Sequence, residues 1–166
     1  ECGYDIKIFH KLQSDNETIS STLVRKKLED GDIAKANELL GHNYFIEGTV
    51  VHGNAIGRTL NMPTANIIPA ASKLLLPSGV YASKVKIEGD DKIYKGVTNI
   101  GRKPTIGRYD IGVETCLLDF DKDIYDKKIS VEFYEYIRCE KKFPGLDELK
   151  DQMEKDKEKA RHILKN

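Results

Sequence analysis

Tryptophan is absent from this sequence, cysteine occurs only three times, and acidic and basic residues balance at 27 each. Each shortage excludes something. A formal net charge of zero argues against a general nucleic-acid binder, which carries a basic excess. Without Trp or a stripe of basic and aromatic residues there is also no stacking platform for a single strand. Cys2, Cys116 and Cys139 are scattered, odd in number and form no CxxC. They exclude a disulfide framework and a structural zinc site, and read as reduced packing or surface thiols. His10, His42, His52 and His162 lack metal-ligand spacing. No apolar run approaches the roughly 18–20 residues that cross a bilayer, and the start at Glu1 has no basic segment followed by an apolar one. The expectation is a cytoplasmic chain with neither membrane nor nucleic acid as partner, cut from something longer.

What is present organises itself in two parts. The chain has 166 residues, 39% of them hydrophobic and 33% charged, enough for one well-filled domain with an appendage. After a predicted strand at Tyr4–Phe9, Ser20-Ser21 caps a helix through Leu23, Val24 and Leu28, and Gly31 stops it. Asp32 caps a second helix with Ile33, Ala36, Leu39 and Leu40 on one face and Gly41 at its end. These helices have little core of their own and must pack on something. The expected boundary falls between residues 1–41 and 42–166.

From Tyr44 the pattern is that of strands: Tyr44–His52, Val80–Ile87, a turn at Gly89-Asp90-Asp91 into Ile93–Ile100, then Gly112–Leu118 and Ile129–Ile137. Five strands with short turns and no alternating helices favour an antiparallel barrel. The stretches 53–77 and 101–110 read as loops, long enough to be functional. Leu146, Leu149, Met153, Ala160 and Ile163 recur at helical spacing, which predicts a final helix covering an open side of the barrel, with a solvated Lys/Glu-rich face.

Four clusters could carry chemistry. Gly53-Asn-Ala-Ile-Gly57-Arg58 follows a strand; glycines admit backbone N–H groups close to an anion and Arg58 adds a fixed charge, although the GxxxxGK(S/T) phosphate loop is absent and an ordinary glycine turn fits equally. In Pro63-Thr64-Ala65-Asn66 an extended backbone puts the Thr64 hydroxyl and the Asn66 carboxamide on one side. Two neutral oxygens suit Mg²⁺ that arrives bound to nucleotide phosphates; the plainer reading is a capped turn. Glu114 interrupts the apolar strand Val113–Leu118. A carboxylate there is costly unless paired or used, and partial burial suits a general base; the alternative is a solvent-facing position. Arg138 and Phe143 follow the last strand and could hold a planar ligand with an anionic tail, or merely fill the seam between helix and barrel.

The order of the pieces is more specific than any one. Gly48-Thr-Val-Val-His-Gly53, Gly57-Arg58, Met62-Pro-Thr-Ala-Asn66, Gly79-Val-Tyr81, Gly96-Val-Thr-Asn-Ile-Gly101, Val113-Glu114-Thr115, Leu118-Asp-Phe120, Arg138 and Lys142-Phe143 together resemble the riboflavin kinase family over about residues 42–164. Ile19-Ser-Ser-Thr-Leu-Val-Arg25 resembles the motif closing the adenylyltransferase domain of bacterial bifunctional FAD synthetases, whose paired-histidine signature is missing. The resemblance implies a six-stranded antiparallel Greek-key barrel with a C-terminal helix and a short helical stub. It implies ATP as co-substrate and phosphorylation of riboflavin to FMN with release of ADP. The partners implied are riboflavin or FMN, ATP or ADP, and a preceding adenylyltransferase domain. By the same resemblance Glu114 is the catalytic base, and Thr64 and Asn66 hold Mg²⁺. Gly53, Gly57, Arg58, Thr64, Leu117, Asp119 and Tyr125 meet the nucleotide, while Arg138 and Phe143 lie on the flavin side. Asn61 and Pro144-Gly145 depart from the usual Gly and Asp-Ser. A non-catalytic flavin-binding barrel is the alternative, and it gives Thr64, Asn66 and Glu114 no role.

Overall fold

A computed structural model of the chain describes residues 3, 7, 11–15, 17–53, 62–102 and 111–165. The predicted strand at Tyr4–Phe9, and Gly57, Arg58 and Asn61, lie outside the described residues. A two-strand hairpin, β1 (Gln13–Ser14) and β2 (Glu17–Thr18), leads into α1 (Ser21–Glu29) and α2 (Ile33–Leu40). Both helices start and stop on the residues their sequence marks. The Ser20 hydroxyl accepts from the Leu23 amide, and the Asp32 carboxylate accepts from the Lys35 amide. Gly31 and Gly41 turn the chain away with φ of 77° and 72°, left-handed values that cost glycine nothing.

Six strands then form a closed antiparallel barrel: β3 (Phe45–Val51), β4 (Thr64–Ile67), β5 (Gly79–Ile87), β6 (Asp90–Arg102), β7 (Ile111–Leu117) and β8 (Lys128–Arg138), in the order β3-β4-β7-β6-β5-β8 with β8 pairing back to β3. Alternation along each strand fills the interior: Ile46 and Val50, Ala65 and Ile67, Tyr81, Val85 and Ile87, Tyr94 and Ile100, Val113 and Leu117, Ile129, Val131 and Phe133 are all buried in one cluster. Three hydroxyls share that interior and satisfy one another, Ser83 with Thr98 at 2.7 Å and Thr98 with Thr115 at 2.9 Å, as buried polar groups must.

Two expectations change. The 53–77 stretch is not loop throughout, because β4 lies inside it. Four residues are too few to show an alternating period, and it is pairing with β3 on one side and β7 on the other that makes them a strand. The final helix, α3 (Leu146–Ile163), covers no opening, since the barrel closes on itself. It packs on the outer face through Ala160, Ile163 and Leu164 against Val80, Ala82, Val97, Leu118 and Ile137. Leu28, Ile33 and Ala36 of α1 and α2 instead join the interior cluster, so the two helices stopper the barrel.

Candidate functional site

The six-stranded closure brings β4, β7 and β6 side by side. Ala65 and Ile67 point inward, so Thr64 and Asn66 share the outer face. In the ladder Thr64 stands opposite Cys116 and Asn66 opposite Glu114. The diagonal between them is closed by a hydrogen bond: Thr64 Oγ1 donates to Glu114 Oε1 at 2.5 Å. The three oxygen-bearing side chains predicted from separate segments are therefore neighbours on one patch of sheet. Glu114 is half-buried. Asn66 is only 5% exposed and lies under Gly53, where a Cβ would come within 2.4 Å of Asn66 Nδ2. Glycine at position 53 is thus required by the carboxamide beneath it.

These donors suit a hard cation held partly by other groups. A hydroxyl, a carboxamide and one carboxylate supply oxygens, the ligand type Mg²⁺ prefers, and among the described residues no cluster of three or more His, Cys, Asp or Glu could hold a metal alone.

Beside Thr64 opens a small cavity of about 50 Å³, lined by Val50, Leu117, Phe120, Ile124 and Tyr125 among others. It unites three residues predicted for one ligand, Thr64, Leu117 and Tyr125. The Tyr125 ring stacks on His52, with centroids 3.8 Å apart and planes at 27°. Asp119 does not line this cavity. Its backbone is left-handed, with φ of 55°, and its carboxylate takes a two-pronged contact from Arg161 at 2.6 and 2.9 Å. The hydrogen-bonded guanidinium holds that carboxyl below the usual range. Asp119 so ties the end of α3 to the turn that leads toward the cavity.

On the other side, Arg138 ends β8. Its guanidinium bonds Asp156 of α3 through Nε, at 3.0 Å to each oxygen, and through Nη2 at 2.7 Å, while Nη1 donates to the Cys139 carbonyl at 2.9 Å. Asp156 is 3% exposed and also accepts from Gln152 at 2.9 Å. The sequence hides this residue inside a run of charges that reads as a solvated face. The Arg138 guanidinium carbon lies 5.8 Å from the Phe143 ring centroid. Phe143 lines a cavity of about 350 Å³ together with Lys141, Pro144, Glu148, Asp151 and Lys155. Arg138 anchors the wall of this region to α3.

Cys116 shares the outer face with Glu114 and is buried, which pushes its thiol up. Gly57 and Arg58 lie outside the described residues. Asn99, quoted in the Gly96–Gly101 stretch but given no role there, is opposite Glu114 on β6 and donates to Glu140 Oε1 at 3.1 Å. Only strand register places Asn99 beside Glu114.

The family model described as riboflavin kinase (flavokinase) matches residues 40–164. The chain is 43% identical over 159 residues to the bifunctional riboflavin kinase/FMN adenylyltransferase of Bacillus subtilis, a match spanning 94% of this chain and 50% of that protein. A solved structure of riboflavin kinase from Trypanosoma brucei superposes with a TM-score of 0.54 at 25% identity, covering 74% of this chain and 80% of that one. A solved structure from Streptococcus pneumoniae, described as a macrolide-efflux protein, superposes with a TM-score of 0.83 at 34% identity, covering 91% of this chain and 49% of that one. Among the described residues, no helix is long and apolar enough to cross a membrane. The chain spans about half the length of the curated relatives it matches.

Proposed function

The chain belongs to the riboflavin kinase family, and from that premise we propose that it transfers the γ-phosphoryl group of ATP to the 5′-hydroxyl of riboflavin, giving FMN and ADP, as the kinase part of a longer bifunctional protein. The observation that carries this reading is the hydrogen bond from Thr64 Oγ1 to Glu114 Oε1 on the face shared with Asn66. A non-catalytic flavin binder has no use for a carboxylate seated beside two oxygen ligands.

Phosphoryl transfer asks a protein mainly for positioning and charge stabilisation. In this reading Thr64 and Asn66 hold Mg²⁺ through their side-chain oxygens. Bound there, the ion supplies neutralisation of the charge on the nucleotide phosphates. Gly53 borders the phosphates, and the small cavity at Leu117 and Tyr125 contacts one edge of the nucleoside. Glu114 Oε accepts the proton of the riboflavin 5′-hydroxyl as its oxygen attacks the γ-phosphorus. The bond from that phosphorus to the β,γ-bridging oxygen breaks, and ADP leaves with the electron pair. The Thr64 hydroxyl orients the carboxylate by donating to one of its oxygens. Phe143 and the end of β8 at Arg138 border the flavin.

The test is direct: incubate the purified chain with MgATP and riboflavin and separate the flavins by chromatography. FMN is the expected product, and no FAD, because the paired-histidine signature of adenylyl transfer is missing from the sequence. Bound flavin without turnover would leave the non-catalytic reading instead.

A further inference from the structure

The connection from β7 to β8, residues 118–127, supplies one wall of the cavity beside Thr64, through Phe120, Lys122, Asp123, Ile124 and Tyr125. Different forces hold its parts in place. At the far end its backbone is tied to β3: the Asp126 amide donates to the Val50 carbonyl at 3.0 Å, and the Val50 amide donates to the Lys127 carbonyl at 2.9 Å. In the middle the Phe120 ring meets Tyr94 edge-on, with centroids 4.8 Å apart. At the near end stands Asp119, left-handed with φ of 55°. That conformation costs any residue with a Cβ, although Asp tolerates it better than most.

The clamp on Asp119 comes from outside the barrel. Arg161, in the last turn of α3, donates through Nη1 to Asp119 Oδ2 at 2.6 Å and through Nη2 to Oδ1 at 2.9 Å. Two parallel bonds fix direction as well as distance. Arg161 is itself firmly seated. Ala160 and Leu164 are 0% and 1% exposed and pack with Leu118, the residue before Asp119. As a source of stability the pair is weak: its side chains are 44% and 73% exposed, and exposed ion pairs add little to folding. A two-pronged bond to a left-handed residue is better suited to aiming the chain than to holding it folded.

We propose that Arg161 is a positioning residue for the phosphate donor. By clamping Asp119 it sets the angle at which residues 120–125 leave β7, and so places Phe120 and Tyr125 for the nucleotide. This deepens the kinase reading and rests on it. Arg161 touches neither substrate, and Asp119, its carboxylate occupied, acts through its backbone. α3 then has two separate tasks. Asp156 fixes Arg138 on the flavin side, and Arg161, one turn further along, fixes the turn on the nucleotide side. Loss of Arg161 is therefore felt by the nucleotide and not by the flavin.

The experiment measures FMN formation, MgADP binding by calorimetry and melting for wild type and single variants. Arg161→Ala should raise KM for MgATP and the dissociation constant of MgADP about three- to fivefold, the upper end for an exposed ion pair. Its kcat and KM for riboflavin should stay within twofold, and its Tm should hardly move. Arg161→Lys keeps the charge but not the fork, and should recover part of the affinity. Asp119→Gly removes the carboxylate and relieves the left-handed residue, so adding Arg161→Ala to it should change nothing further. Lys159→Met is the control: Lys159 Nζ donates to the Ile137 carbonyl at 3.1 Å, tying α3 to β8 and not to the turn, so KM for MgATP should hold. Unchanged nucleotide affinity in Arg161→Ala, an equal rise in KM for riboflavin, the same rise in Lys159→Met, or an undiminished loss in the Asp119→Gly background overturns the proposal. FMN absent from wild type, with MgADP affinities shifting as expected, would sink the kinase reading and leave the nucleotide clamp standing.

Discussion

Leu28 and Ile33 are each 2% exposed, and both lie in the same apolar cluster as Ile46, Val85 and Phe133 of the barrel. The helices α1 and α2 therefore do more than trail in front of a finished domain. Asn37 adds two polar links: its amide donates to the Phe133 carbonyl at 2.9 Å, and its carbonyl accepts from the Tyr44 amide at 2.7 Å. Ile33→Ala removes three buried carbons from a site walled by barrel side chains that cannot follow it inward. Such truncations cost about 2–5 kcal/mol, and about 3 kcal/mol is reasonable here. For a chain of this size each kcal/mol lowers Tm by about 2–4 °C, so the expected fall is about 10 °C. The assay is calorimetry or thermal circular dichroism on full chains, with FMN formation followed at a temperature where both are folded. A single transition that moves by this amount, with kcat/KM within a few-fold, means that the helices and barrel melt as one unit and that the stopper lies apart from the chemistry. A shift below about 2 °C would refute the reasoning, because the stopper would not then share the barrel's cooperative unfolding. Outright deletion of residues 1–41 exposes the same surface all at once and should yield an aggregation-prone barrel.

Other predictions concern the site. Glu114→Gln keeps an acceptor for the Thr64 hydroxyl, so melting should hardly move while FMN formation at saturating substrate falls about 10²–10⁴-fold; a loss of only a few-fold removes Glu114 as base. Thr64→Ala and Asn66→Ala should each shift the Mg²⁺ midpoint of activity upward, and unchanged midpoints in both exclude them as ligands. Gly53→Ala places a methyl 2.4 Å from Asn66 Nδ2, so it should raise the Mg²⁺ midpoint much as Asn66→Ala does; wild-type titration would mean that Asn66 holds no metal. Asp156→Ala strips Arg138 of its carboxylate partner. Because the Arg138 side chain is 22% exposed and relaxes toward water, the cost should fall below the roughly 3–5 kcal/mol of a fully buried broken pair, and calorimetry measures it.

Much of the architecture was legible from residues alone. Ser20, Asp32, Gly31 and Gly41 marked helix ends by local chemistry, each acting within one turn of its own position. The hairpin at Gly89, with φ of 78°, and the alternation in β5 and β8 are equally local. Likewise the Thr64, Asn66 and Glu114 signals were visible, because an acid in an apolar strand and two oxygens at alternate positions are unusual wherever the chain puts them.

Residue order thus determined the local signals: caps, turns, the faces of the long strands, and the side chains able to do chemistry. The tertiary structure decided which of them meet. β4 has too few residues to declare a period, so only pairing with β3 and β7 makes it a strand. Asp156 looked like one more surface charge until α3 docked and turned it toward Arg138. Positions 66, 99 and 114 share no local relation, and they form a row because register is fixed by what the barrel interior can bury. Slipping one strand by a single residue would send Glu114 inward and Val113 outward, and the burial of Val113 beside Ile67 and Ile100 forbids it.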